Sequence, residues 1–581
     1  MLPKSKPVNT LLHLLATLAL VLTLPLHAAE PVADKWGAYV EQYLESYFEA
    51  HPAFAVYKGR HEFDGQLPDW SAAGIAAEIA RLKQQRAEAE AFAADALTAE
   101  QRFQRDYVVA AIDRQLFWLE DAEWPFRSPA YYFDWLSDSI GPNPYIAMDY
   151  APATERLQAY TRWAGNIPRA VGQIKDNLRM PMPRTVLQYG IDSFGGFASY
   201  LRDEVPPAFA EVGDQALQEA FATANAAAVS AFEDLTAHLQ ANMGTATEDY
   251  ALGPELFAKM LYATERVETP LPELEAIGRA DMARNQAALK AACAEFTPGK
   301  SIEQCFATMS SRKPEGGSVA AAREQLAELR AHVVAEDLVT IPSKLESRVQ
   351  ESPPYARSNF AFINIPGPYE VGQTPIYNIS PPNPEWPEDV QRDYISGESD
   401  LLFVSAHEVW PGHFLNFLHA NQADFIFGRV FVSYAFSEGW AHYVEELMLE
   451  TGLRDASPET RVGQLSQALI RNARFLAAIG LHTGGMSVAE AEKLFTEQAY
   501  QGLGTARQQA NRGTYDPAYL NYTLGKLMIR QLRDDWSAER GGRKAWRAFH
   551  DAFLSFGGPP IPLVRGAMLQ ETPSSVFYRE D

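Results

Sequence analysis

The sequence predicts a mainly α-helical chain folded as one large domain, with a small β element just before an unusual pair of histidines. Three observations carry this. Residues 77–97, 155–178, 215–243, 273–296 and 319–336 are rich in Ala, Leu and Glu, with apolar residues at three- and four-residue spacing, the signature of amphipathic helices. The 38 prolines and 37 glycines are dispersed rather than gathered into a linker, and no fixed-period repeat is evident. One domain, whether or not it divides into two lobes, is therefore the simpler arrangement. Finally, SNFAFINIPGPYEVGQTPIYNISPP, within 343–383, is aromatic and β-branched and is broken by Pro and Gly. It reads as short strands and turns, after which helix resumes to about residue 540.

From the N-terminus, MLPKSKPVNT is basic, LLHLLATLALVLTLPL is a short apolar run and LHAAE offers small residues for cleavage. That order describes a signal peptide over residues 1–28, leaving 29–581 as a single mature domain, exported and soluble in the periplasm. A retained anchor is the competing reading, but His13, Thr17, Thr23 and Pro25 interrupt the run. No cysteine follows it, so lipid attachment there is not expected. The two cysteines, Cys293 and Cys305, flank Pro298-Gly299 and suit a local disulfide in an oxidising compartment; two buried free thiols are the alternative. A net charge of −24 argues against nucleic acid or anionic lipid as partner, since phosphate binding needs a basic surface.

Four of the 12 histidines (His407, His413, His419 and His442) lie close together. HEVWPGH, residues 407–413, approaches the H-E-x-x-H zinc motif but separates its histidines by six positions. On an unbroken helix that spacing turns the second ring by about 240°, so the two cannot share one metal. Pro411 breaks a helix and Gly412 tolerates what the break requires, so a two-residue bulge would return His413 to the face of His407. A third ligand is available in SEGWAHYVEEL, 437–447, where Glu438 sits 25 residues after His413. Glu445, seven residues on, shares its face and suits the orientation of a ligating imidazole. Glu408 has the position of the general base that deprotonates a metal-activated water. His2Glu ligation suits one Zn2+ per chain. The plainer alternative is a helical pair with ordinary charges and core histidines. His419 and His442 read as lying outside the ligand set, and Trp410 and Trp440 as core rather than substrate contacts.

HEVWPGH followed by SEGWAHYVEE resembles the HExxPGHH and EGWALYxE pair of a bacterial family, domain of unknown function 885. HPAFAVYKGRHEFDGQLPDWS, RVQESPPYAR, GLHTGG and RGTYDPAYLNYTLGKLMIRQLR resemble further landmarks, so the likeness spans nearly the whole mature chain. The resemblance implies a helical fold with a deep central cleft, similar to helical zinc peptidases such as angiotensin-converting enzyme. It implies metal ligation by His407, His413 and Glu438, stabilisation of the tetrahedral intermediate by Tyr522 and His482, and a substrate-carboxylate contact at Arg512. The chain departs from the pattern at Phe414, at His442 and in PAYLNY before Tyr522, which bears on substrate preference.

Together these readings lead to the expectation of an exported zinc metallopeptidase acting on short or unfolded peptides, with the β stretch pairing to an extended substrate. Two rivals remain: a zinc hydrolase of non-peptide esters or amides, and a non-catalytic metal- or peptide-binding protein of the periplasm.

Overall fold

Helices dominate the described residues of this computed structural model, which are 32–576 apart from 135, 353–359, 371, 383, 385 and 386. The expected signal segment lies outside them. Four predicted helices appear within two residues of their sequence-derived ends, at Ala153–Asn177, Gln215–Asn242, Leu271–Phe296 and Ser318–Ala335. The fifth is displaced to Ala72–Glu90. The chain leaves it early because arginines of the following helix, Ala99–Leu116, take up the carbonyls of the turn: Arg102 those of Ala94 and Leu97, Arg105 that of Phe92. Thr98 and Gln101 start that next helix with a capping box. Helix also runs past residue 540, through Trp546–Leu554 and Ile561–Leu569.

The aromatic, β-branched stretch forms a three-stranded sheet. β1 (Arg348–Glu351) pairs parallel with β3 (Ile376–Ile379), and β2 (Ala361–Asn364) pairs antiparallel with β3, giving the order β1-β3-β2. β3 is central and buried throughout, whereas β2 is an edge strand with intermediate exposure.

Apolar side chains gather in three clusters. The largest draws mostly on the C-terminal half and contains Trp440, Phe475 and Leu524, with residues such as Phe117 and Met260 joining it from earlier in the chain. The second is built mostly from residues 132–239 around Tyr160, Trp163 and Phe232, and the third packs the N-terminal helices against Phe427 and Phe431. Tyr131 packs against all three. Between them lies a cavity of about 1290 Å3, lined by residues from His51 to Tyr522 and including the whole of β2. This is the cleft that the family resemblance implied.

Cys293 and Cys305 form the expected disulfide, tying the end of the helix Leu271–Phe296 to the helix Ile302–Ser311. Closing so short a loop stabilises the native state by about 2–4 kcal/mol. The double variant Cys293→Ala/Cys305→Ala is expected to lose that much in urea denaturation; an unchanged midpoint would show that the bridge constrains nothing.

Candidate metal centre

The helix Glu398–Glu408 ends on the first part of the motif, and a new helix, His413–Ala420, begins on the second histidine. Between them Val409 leaves helical geometry and Pro411 cannot continue the ladder. Gly412 is demanded by a close approach rather than by its dihedrals. A Cβ there would lie 1.7 Å from the carbonyl oxygen of His407. The break folds the backbone onto itself, and the two imidazoles meet nearly perpendicular with ring centres 4.8 Å apart. Trp440 secures the bulge by donating its indole N–H to the Pro411 carbonyl at 2.9 Å, which explains why it is fully buried core.

Glu438 arrives on the helix Tyr434–Glu450, capped by Ser433. This helix touches Asn521–Ala538 backbone to backbone: a Cβ on Gly439 would lie 2.4 Å from the Cα of Gly525. That contact brings Glu438 and Tyr522 to the same wall. The Nε2 atoms of His407 and His413 lie 3.3 and 3.4 Å from Glu438 Oε2. Neither contact has hydrogen-bond geometry, so this buried carboxylate oxygen has no donor. The three side chains offer ligand atoms all within 4.8 Å of one another, the only such group of His, Cys, Asp or Glu among the described residues. Two imidazole nitrogens and an orphaned carboxylate oxygen converging on one point fit a divalent cation of zinc type.

Electrostatics support the same fit. Burial opposes a charged ring, yet Glu438 and Glu445 carry His407 up to about 9, so the pocket attracts positive charge. Glu445 is fully buried and accepts a hydrogen bond from Nδ1–H of His407 at 2.7 Å. Arg471, 3.1 Å away, and His442, 3.3 Å away, hold its carboxyl well below the usual range against the cost of burial. Such a carboxylate fixes the tautomer and ring orientation of a ligating histidine. His442, read from sequence as outside the ligand set, thus braces the brace.

The other nominated residues divide. Glu408 lines the cavity beside the ligand group and is partly exposed to it; burial raises its carboxyl above the ordinary range despite His413 and His407. Tyr522 also lines the cavity, its ring stacked on His407 with centres 6.2 Å apart. Arg512 reaches the cavity but already binds Asp516 at 2.8 Å and the Tyr434 hydroxyl at 3.0 Å. His482 is a correction. It is fully buried away from the cavity lining, donates Nε2–H to the Gly513 carbonyl at 2.7 Å and accepts the Leu252 amide at Nδ1. With both nitrogens engaged by backbone and its pKa lowered to about 4 by burial, it pins two segments together.

Sequence reasoning missed Arg471, Arg474, Tyr434 and Glu265. The last is completely buried, accepts from the Ala435 amide and the Asn521 side chain, and is raised to about 7 by burial. Only the arginine pair carried a signal, since two cations three residues apart on a helix otherwise rich in apolar positions need a reason.

Residues 52–568 match the bacterial family of proteins of unknown function DUF885. The chain belongs to this family. Two solved structures share the DUF885 fold seen here. One, described as a candidate lipoprotein of unknown function from Shewanella oneidensis, has 22% identity and a TM-score of 0.75, covering 92% of this chain and 99% of that one. The other, a candidate lipoprotein from Colwellia psychrerythraea, has 16% identity and a TM-score of 0.76, covering 92% and 98%. At these identities the likeness is one of fold alone. A candidate oligoendopeptidase F from Bacillus anthracis strain Ames reaches a TM-score of only 0.31 at 14% identity over 85% of this chain and 92% of that one, too slight to bear on fold or chemistry. No curated protein matches the chain.

Because position 412 has no room for a side chain, Gly412→Ala must push the bulge open. Forced overpacking of this kind costs about 1–3 kcal/mol. Its zinc affinity, read from zinc-dependent thermal stabilisation, is expected to fall at least about tenfold, each tenfold being about 1.4 kcal/mol of binding free energy. Native zinc affinity in this variant would contradict the close approach.

Proposed function

We propose that this member of DUF885 is an exported zinc-dependent metallopeptidase that cleaves short or unfolded peptides. The observation that carries the reading is the convergence of His407, His413 and Glu438 at the wall of a large cavity, with Glu408 beside them. A purely structural metal site has no use for a carboxylate so placed, nor for an open cavity. A divalent cation held by these three ligands would supply Lewis acidity toward water and toward a substrate carbonyl.

The chain's own residues account for the rest. Glu408, its carboxyl raised by burial, takes a proton from the attacking water and returns it to the leaving nitrogen. Tyr522, also raised by burial, stays protonated and supplies a hydrogen bond to the developing oxyanion. Glu445 keeps His407 oriented throughout, with Arg471 neutralising it. β2 presents an edge to the cavity, and an extended peptide pairing there by its main chain is bound with little regard to sequence. Access through a cavity of about 1290 Å3 favours short or unfolded chains over folded proteins.

Export rests on the 1–28 signal segment, and the description of the two neighbours of the same fold as lipoproteins supports this reading. Among the described residues no helix is long and apolar enough to cross a membrane.

Glu408→Gln is expected to bind zinc as the native protein does while peptide turnover falls by about 10^2- to 10^4-fold, the usual contribution of a general base. Turnover preserved in that variant, measured on a zinc-loaded sample, would remove Glu408 from the mechanism. Zinc-loaded native protein that hydrolyses esters but no peptide would move the reading to the non-peptide hydrolase.

A further inference from the structure

Three arginines act on Tyr522, and among the described residues two of them have a counter-ion. Arg471 pairs with Glu445 at 3.1 Å, and Arg512 pairs with Asp516 at 2.8 Å. Arg474 lies with its guanidinium 4.8 Å from the centre of the Tyr522 ring and lines the cavity. Its one directed bond among the described residues runs from Nε to the neutral side-chain oxygen of Gln509, at 2.7 Å. No carboxylate among the described residues pairs with it.

A cation partly withdrawn from water without a counter-ion carries a cost. Here burial, then Arg512 and Arg471, all disfavour the charge on Arg474. The face of Tyr522 offsets part of that cost. With Nε occupied, the two terminal nitrogens form the end of the fork that meets a carboxylate with two parallel hydrogen bonds.

We propose that Arg474 is an anchor for a carboxylate of the bound substrate, and that this carboxylate is the free C-terminus of a short peptide. The assignment rests on the peptidase reading for its substrate and deepens it. Reach sets the fragment size. Arg474 is one aromatic ring removed from His407, because Tyr522 stacks on that imidazole at 6.2 Å. An extended residue spans about 3.3–3.6 Å, so the anchored carboxylate falls within roughly three residues of the cleaved bond. The enzyme would then release small C-terminal fragments instead of cutting at internal sites. Asp516 and Glu445 already occupy Arg512 and Arg471, which leaves Arg474 as the cation that the substrate itself completes.

The test uses zinc-loaded protein and three libraries of random pentapeptides: free acids, C-terminal amides without acidic residues, and C-terminal amides containing Asp or Glu. Native protein is expected to prefer free acids over neutral amides by about tenfold to a hundredfold in kcat/KM, the range of a charge-assisted hydrogen bond. In Arg474→Gln, which keeps a donor for Gln509, that ratio is expected to fall toward one while zinc content and melting temperature hold. Equal cleavage of acids and neutral amides by native protein would overturn the anchor. So would an acid preference that survives Arg474→Gln. An Arg474-dependent preference for acidic amides alone would keep the carboxylate contact and overturn its assignment to the C-terminus.

A binding arm separates this idea from the peptidase reading. Calorimetry with pentaalanine and pentaalanine amide on Glu408→Gln protein is expected to show tighter binding of the acid, lost when Arg474→Gln is added. That result, with no library hydrolysed by native protein, would sink the peptidase reading alone. Hydrolysis without any selectivity for acids would sink the anchor alone.

Discussion

The carbonyl oxygen of His407 fills the space where a side chain at position 412 would sit, and the geometry of the whole site follows from that contact. A continuous helix would carry the second histidine to the wrong side. Ending one helix at Glu408 and starting another at His413 discards the helical rotation, and only glycine lets the chain double back so tightly. Once the bulge is closed, its Pro411 carbonyl is available to Trp440, so the same feature that sets the histidines also docks the helix that brings Glu438. Gly439 against Gly525 then sets how near Tyr522 can come. Three backbone contacts, each intolerant of a Cβ or dependent on a bare carbonyl, position four side chains.

Holding such a centre requires buried charge, and the fold compensates it in layers. Glu445 faces His407, His442 and Arg471. Behind it, fully buried Lys526 binds Asp281 at 2.8 Å, and Asp281 also accepts from Asn472 and Arg284. Lys526 is one turn from Tyr522, Asn472 is next to Arg471, and Glu446, which pairs with Arg284, is next to Glu445. Ion pairs of this kind add little net stability against well-packed apolar residues. They do penalise any sliding of the helices that would strand a charge. The arrangement therefore fixes register where the site needs it, while Arg474, beside the Tyr522 ring, lines the cavity with no carboxylate partner among the described residues.

Local rules made much of this legible. Helical periodicity located the long helices, and the Pro-Gly pair within HEVWPGH implied the bulge before any coordinates. The seven-residue step from Glu438 to Glu445 put both on one face, and the spacing of Cys293 and Cys305 suggested their pairing. What escaped depends on where distant segments meet. His482 sat in a suggestive GLHTGG string, but its role is set by the Gly513 carbonyl and the Leu252 amide, neither of which is near it in sequence. Glu265 lies in an unremarked helix and matters because it meets Ala435 and Asn521. Arg471 finds a carboxylate in Glu445, whereas Arg474 finds the neutral side chain of Gln509. The helix over 77–97 ended early for a similar reason, since the arginines that cap its turn belong to the next helix.

The zinc site depends on an interrupted motif that still delivers both histidines to one metal. Elemental analysis of native protein and of His413→Ala, purified without added metal and then supplied with zinc, tests it most directly. One zinc per chain is expected in the native protein and loss of stoichiometric zinc in the variant, with the fold retained by circular dichroism. Stoichiometric zinc in both proteins, or in neither, would contradict it.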